Sequence, residues 1–133
     1  MKFLIFFTLF IILTGSLIPI SFSDNSSVTE HGFFGVEQDT YILEYGDEFQ
    51  LVKISGIGDV PQGSDRTKAD ITITNPDSTQ NSHRTFSASD GYFELTFPLY
   101  YHSQIGIYKV FATFDKHVLG EVFFTVERLS ITE

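Results

Sequence analysis

Tyr92-Phe93-Glu94-Leu95-Thr96-Phe97-Pro98-Leu99 places Phe93, Leu95, Phe97 and Leu99 on one side and Glu94 and Thr96 on the other. Ile107 to Phe114 does the same, with Tyr108, Val110, Ala112 and Phe114 aligned. A third stretch, Ala69 to Thr74, sets Ala69, Ile71 and Ile73 against Asp70, Thr72 and Thr74. A period of two means extended chain, because successive side chains of a strand point to opposite faces. One apolar and one polar face is the pattern of an antiparallel sheet with one side packed and one side wet.

Working outward, four more runs of strand length appear: Gln38–Tyr45, Glu48–Ser55, His83–Ser87 and Val118–Glu127. Turn residues separate them, at Gly46-Asp47, Gly56 to Gly63, Asn75-Pro76-Asp77, Asp90-Gly91, Gly106 and Gly120. No window of a dozen residues after position 35 carries helical periodicity. Seven strands at this spacing predict an all-β, antiparallel two-sheet sandwich over residues 36–129. Glu48–Ser55 fits least well, since Phe49 and Leu51 share one phase and Val52 and Ile54 the other. A bulge near Leu51, or burial of both faces, would reconcile them. Residues 24–35, DNSSVTEHGFFG, are small and polar and read as a flexible linker; residues 130–133 read as a tail.

Residues 1–23, MKFLIFFTLFIILTGSLIPISFS, begin with a base and continue in an apolar run. Pro19 ends that run, and Ser21 and Ser23 flank Phe22 ahead of Asp24. This is the pattern of an export signal helix cleaved before Asp24. The alternative is a retained membrane anchor, since the apolar stretch to Ile20 approaches the ~20 residues that span a bilayer. Either way the remaining chain is expected outside the cytoplasm, secreted or at the cell surface, with membrane contact only through this segment if it is uncleaved.

The 133 residues hold 17 acids, 8 bases, no Cys and no Trp, for a net charge of -9. Without Cys there is no disulfide, zinc-thiolate site or cysteine nucleophile. The acid excess argues against nucleic acid as partner, because phosphate binding needs a basic stripe. No Gly-x-Ser-x-Gly elbow is present, and no carboxylate pair is placed across a cleft. We therefore expect no enzyme and no cofactor.

The series EYGDEFQLVKISG, ADITITNPDST, SASDGYFELTFPL, GIYKVFATF and GEVFFTVE resembles the secreted immunoglobulin-like domains of archaea and bacteria. It is also similar to macroglobulin-type sandwich modules. The resemblance rests on Tyr45-Gly46-Asp47 before one strand, Asn75-Pro76-Asp77 closing another, Asp90-Gly91, and Gly106-Ile107-Tyr108. It implies that Tyr108 stands at a tyrosine corner, its hydroxyl bonded to backbone in the preceding loop. It also implies that Val110 stands where antibody domains place their second Cys. Such modules serve as spacers, adhesins and complex subunits, so the resemblance specifies a fold more than a function.

The histidines, His31, His83, His102 and His117, have no close ligand spacing. His102 and His117 flank the strand from Ile107 and are the pair a metal would use. Asp59, Asp65 and Asp70 supply oxygens for calcium, but in no EF-hand pattern and with Arg66 and Lys68 among them. Tyr100, Tyr101 and His102 follow Pro98 in a loop, where paired tyrosines could stack on sugar rings. Asn25-Ser26-Ser27 is a formal glycosylation sequon. If Tyr108, Val110, Ala112 and Phe114 face inward, Ile107 and Phe111 face outward, and Phe123 does so on the last strand. These three form a candidate apolar stripe for a partner, unless Phe33 and Phe34 fold back over it. The expected function is non-catalytic: an exported module acting by protein–protein contact, as an accessory subunit on the outer face of a membrane complex or as a cell-envelope component. An extracellular glycan- or metal-binding module is the alternative.

Overall fold

The three alternating stretches are strands of a two-sheet, all-β structure, a computed structural model that describes residues 25–46 and 49–129. The strands are β1 (Ser26–Thr29), β2 (Gly32–Val36), β3 (Thr40–Leu43), β4 (Gln50–Gly58), β5 (Lys68–Thr74), β6 (Gln80–Phe86), β7 (Tyr92–Leu99), β8 (Gly106–Phe114) and β9 (His117–Arg128). No helix occurs among the described residues. The expected signal or anchor helix over 1–23 and the tail 130–133 lie outside them. One sheet, here sheet A, has the order β1-β2-β4-β7; the other, sheet B, has the order β3-β9-β8-β5-β6.

The core is the sum of the inward phases. Phe34, Val36, Val52, Ile54, Phe93 and Leu99 come from sheet A. Tyr41, Leu43, Ala69, Ile71, Ile73, Tyr108, Val110, Ala112, Phe114, Leu119, Val122, Phe124 and Val126 come from sheet B. Leu95 and Phe97, expected at full depth, are only half-buried against this cluster. They lie on β7, which pairs with β4 and forms an edge of sheet A. Phe93 and Leu99 of the same strand are fully buried, so depth varies along β7.

Four expectations are corrected. Nine described strands replace seven, because residues 24–35 are not a linker from Ser26 onward. Their sequence does not alternate apolar with polar residues, but β2 lies on β4 with Phe33 opposite Ile57 and Gly35 opposite Ser55. β1 pairs with β2, and the Ser27 hydroxyl donates to Leu119 O of the other sheet at 2.9 Å. Nor is the sandwich wholly antiparallel: β3 runs parallel to β9, Thr40 opposite Thr125. β4 has neither a bulge near Leu51 nor two buried faces. Its register with β7 is continuous, Val52 and Ile54 point inward, and Phe49 and Leu51 are exposed.

Finally, β4 continues into the glycines read as a turn. A Cβ on Gly58 would lie 2.3 Å from the Phe114 ring, and one on Gly56 would lie 2.7 Å from Phe93 Cζ. Glycine at both inward positions makes room for two rings of the core.

β9 holds the one register shift between paired strands of the described residues. Ala112 faces Gly120 while Thr113 faces Val118, leaving Leu119 without an opposite number. The extra residue lets Leu119 and Val122 both point inward although three positions apart.

Candidate functional site

The outer face of sheet A carries a feature that no single stretch of sequence announces. Val28 is opposite Phe33, Phe33 opposite Ile57, and Ile57 opposite Tyr92. All four are exposed. Register thus lines up one apolar side chain from each of four strands in a single row. The next row is Ser26, Gly35, Ser55 and Glu94, three of them small. Tall side chains beside short ones make a groove of about 380 Å³, lined among others by Phe33, Gly35, Ser55, Ile57 and Tyr92.

The far wall of the groove is charged. Lys53 and Glu37 line it, and the Lys53 ammonium stands 3.6 Å from the Glu94 carboxylate. Tyr92 donates its hydroxyl to Glu94 at 2.7 Å, and that bond to a carboxylate, with some desolvation, raises its pKa above the ordinary tyrosine value. The groove therefore offers an apolar lip, a backbone-lined floor and a small polar wall.

The stripe expected on sheet B is interrupted. Ile107 is 63% exposed, Phe123 is 37% exposed and Phe111 is half-buried. Ile107 is opposite Thr125, Phe123 opposite Lys109, and Phe111 opposite Glu121. Lys109 and Glu121 approach each other at 3.6 Å, so an ion pair crosses the line joining the two phenylalanines. Phe33 and Phe34 do not cover this face: Phe34 is in the core and Phe33 is on sheet A.

Tyr108 lies two residues into β8 and donates its hydroxyl to Gln104 O at 2.7 Å. Its ring stacks on Phe124, centroids 4.9 Å apart. Burial raises its pKa, with the Asp77 carboxylate adding to the effect.

Tyr100, Tyr101 and His102 form the β7–β8 turn, fixed by Ser103 N–H donating to Tyr100 O and by Tyr100 N–H donating to Ser103 Oγ. Arg128 donates to Tyr101 O and Ser103 O, and its guanidinium lies 5.3 Å from the Tyr101 ring centroid. Tyr45 meets Tyr101 edge-on at 5.5 Å and Phe49 meets Tyr100 edge-on at 6.1 Å. Each tyrosine of the pair thus meets a different ring beside the β3–β4 connection.

His102 and His117 sit beyond opposite ends of β8 and do not meet. The structure instead stacks His117 on His31, centroids 4.2 Å apart, with Glu30 3.3 Å from His31 Nε2. Nothing in the sequence links residues 31 and 117; the β1–β2 and β8–β9 turns bring them together. Among the described residues no group of three or more His, Asp or Glu side chains is arranged to hold a metal. Asp70, one of the calcium candidates, is engaged by Arg84, Nε to Oδ1 2.7 Å.

No protein-family model and no curated protein sequence matches the chain. Among solved structures it is similar to the CARDB domain of a Pyrococcus furiosus protein in complex with di-metal ions. That likeness has 18% identity and a TM-score of 0.45, over 77% of this chain and 92% of that one. It is also similar to an alkylpurine DNA glycosylase of Pseudomonas fluorescens bound to DNA containing an abasic site analog. There the identity is 10% and the TM-score 0.42, over 69% of this chain but 28% of the glycosylase. Both likenesses are too distant to carry either protein's ligand to this chain.

Proposed function

We propose that this chain is an exported, non-catalytic immunoglobulin-like module that works by protein–protein contact through the outer face of sheet A. The row Val28, Phe33, Ile57 and Tyr92 carries the reading. Isolated exposed apolar residues are ordinary, but a contiguous row on an acidic protein marks a partner site. The immunoglobulin-like assignment draws support from the two-sheet architecture and from the Tyr108 hydroxyl bonded to the loop before its strand. Placement outside the cytoplasm draws on the apolar leader, and the partner is then a component of the envelope or of a membrane complex.

The test is recovery of the affinity-tagged chain from the membranes and medium of its own cells, with partners identified by mass spectrometry. A stoichiometric partner should come with the native chain and with Phe111→Ser/Phe123→Ser, and be lost with Phe33→Ser/Ile57→Ser. Loss with the sheet B pair alone would move the contact to sheet B and overturn the assignment to sheet A.

A further inference from the structure

The rows on the outer face of sheet A run across the strands, so the groove between them does too. Its floor is Ser26, Gly35 and Ser55, one each from β1, β2 and β4. A Cβ on Gly35 would lie 2.8 Å from Asn25 O, so β2 cannot raise that floor. On one side stands the apolar row that ends at Tyr92 on β7. On the other stand Glu37, Lys53 and Thr96, Glu37 level with Lys53 because its N–H donates to Lys53 O. The two walls are four residues apart along each strand, as Ile57 and Lys53 are on β4, which is about 13 Å at strand spacing. From β1 to β7 the groove crosses three strand spacings, about 14 Å.

Those dimensions, and a floor with no free backbone groups, select the shape of an occupant. β2 and β4 are paired on both sides, so their N–H and C=O groups are used in the ladders. An extended segment laid across them would press its own N–H and C=O groups against side chains that offer no backbone partner. Each such group, once buried, carries a desolvation cost. An α-helix closes its hydrogen bonds internally, and with side chains it is about 10–12 Å across. It fits between the walls, and about ten residues, nearly three turns, cover the length of the groove. The far wall sets the charge. The Lys53 ammonium is taken by Glu94 at 3.6 Å. Glu37 is exposed and has no ion pair among the described residues. Two carboxylates and one ammonium leave the wall negative.

We propose that the groove takes an amphipathic helix of the protein partner, lying across the four strands. This rests on the reading of sheet A as the contact face, and it names what sits there. Apolar side chains at helical spacing pack on Phe33, Ile57 and Tyr92. A small residue of the helix faces Gly35 and Ser55, where larger side chains would hold it off the floor. A Lys or Arg on its flank reaches the Glu37 carboxylate.

The test reads the partner's conformation from the spacing of cross-links. A photoactivatable phenylalanine analogue replaces Val28 or Tyr92, which stand on the outermost strands of the row. The full chain is irradiated in its own cells, and each adduct is mapped to a residue of the partner. The two adduct sites should lie about nine or ten residues apart on a helix, against about four on an extended segment. Ser55→Trp fills the floor and leaves the apolar row in place, so it should remove both adducts. Glu37→Lys should cut their yield several-fold, and Glu37→Gln less; these surface variants keep the test open if a melting curve shows Ser55→Trp unfolded. Adducts about four residues apart, or adducts that survive in folded Ser55→Trp, would overturn the helix and leave sheet A as the contact face. Adducts to a second copy of this chain, or within the chain itself, would also overturn it. Absence of adducts from both positions would overturn contact through sheet A, and the helix with it.

Discussion

Tyr108 holds the loop before β8 through one hydrogen bond to Gln104 O. Tyr108→Phe keeps the ring stack on Phe124 and removes only that bond, so it should cost about 1 kcal/mol at neutral pH in urea unfolding. The cost depends on pH. Burial raises the hydroxyl pKa in the folded state, so the unfolded chain ionises first as pH climbs. The hydroxyl's contribution is complete below about pH 10, the unfolded tyrosine value, and falls as pH rises through the higher folded value. The gap between native and Tyr108→Phe should therefore narrow in alkali. A gap that widens would mean that the hydroxyl is not held as described. At Gly58 the constraint is volume: a methyl group would enter the Phe114 ring. Gly58→Ala should lose about 1–3 kcal/mol by overpacking, read as a lower melting temperature. Both side-chain roles differ in how far sequence exposes them. Tyr108 stood out because the resemblance put it at a tyrosine corner, near the start of an alternating strand. Gly58 did not, because glycine in a turn and glycine under a ring look the same until the ring's position is known.

At the level of elements, the clearest strands were those whose two faces meet different media. β5, β7 and β8 alternate because one side packs on the opposite sheet and the other meets water. β1 and β2 were invisible for a physical reason. Their pairing energy comes from β4 and from Ser27 reaching Leu119, contacts far apart in sequence, while their own residues include two glycines and adjacent phenylalanines that point to opposite faces. The split phase of β4 had the same origin, since Phe49 and Leu51 are surface residues. Depth also varies along β7. Phe93→Ala should cost about 3–5 kcal/mol as a fully buried ring, and Phe97→Ala, half-buried, markedly less by the same denaturation assay. Equal costs would mean that Phe97 is as enclosed as Phe93. The β1 hairpin offers a third test. Gly120 has φ +119, and a Cβ there would lie 2.2 Å from Ser27 Oγ. Gly120→Ala should push β1 off the bulge and raise amide exchange across Ser26–Thr29 before it affects β5 or β8.

Across the whole molecule, the sandwich presents two outer faces of different character. The candidate stripe Ile107, Phe111 and Phe123 was legible from alternation alone, but its continuity depended on what lies opposite each residue. Register set Thr125, Glu121 and Lys109 there. The row on sheet A was hidden because its four members come from four strands, two of them unrecognised in the sequence. Because those members are exposed, Phe33→Ser and Ile57→Ser should each change stability by well under the cost of a core truncation, about 0.5 kcal/mol. That separation lets contact be measured apart from folding. The most direct measurement places a photoactivatable phenylalanine analogue at Ile57, at Phe111 or at Ser89 in the full chain within its own cells. Irradiation should give a discrete protein adduct from position 57 and none from 111 or 89. An adduct from 111 with none from 57 would contradict the account that this module meets its partner through sheet A.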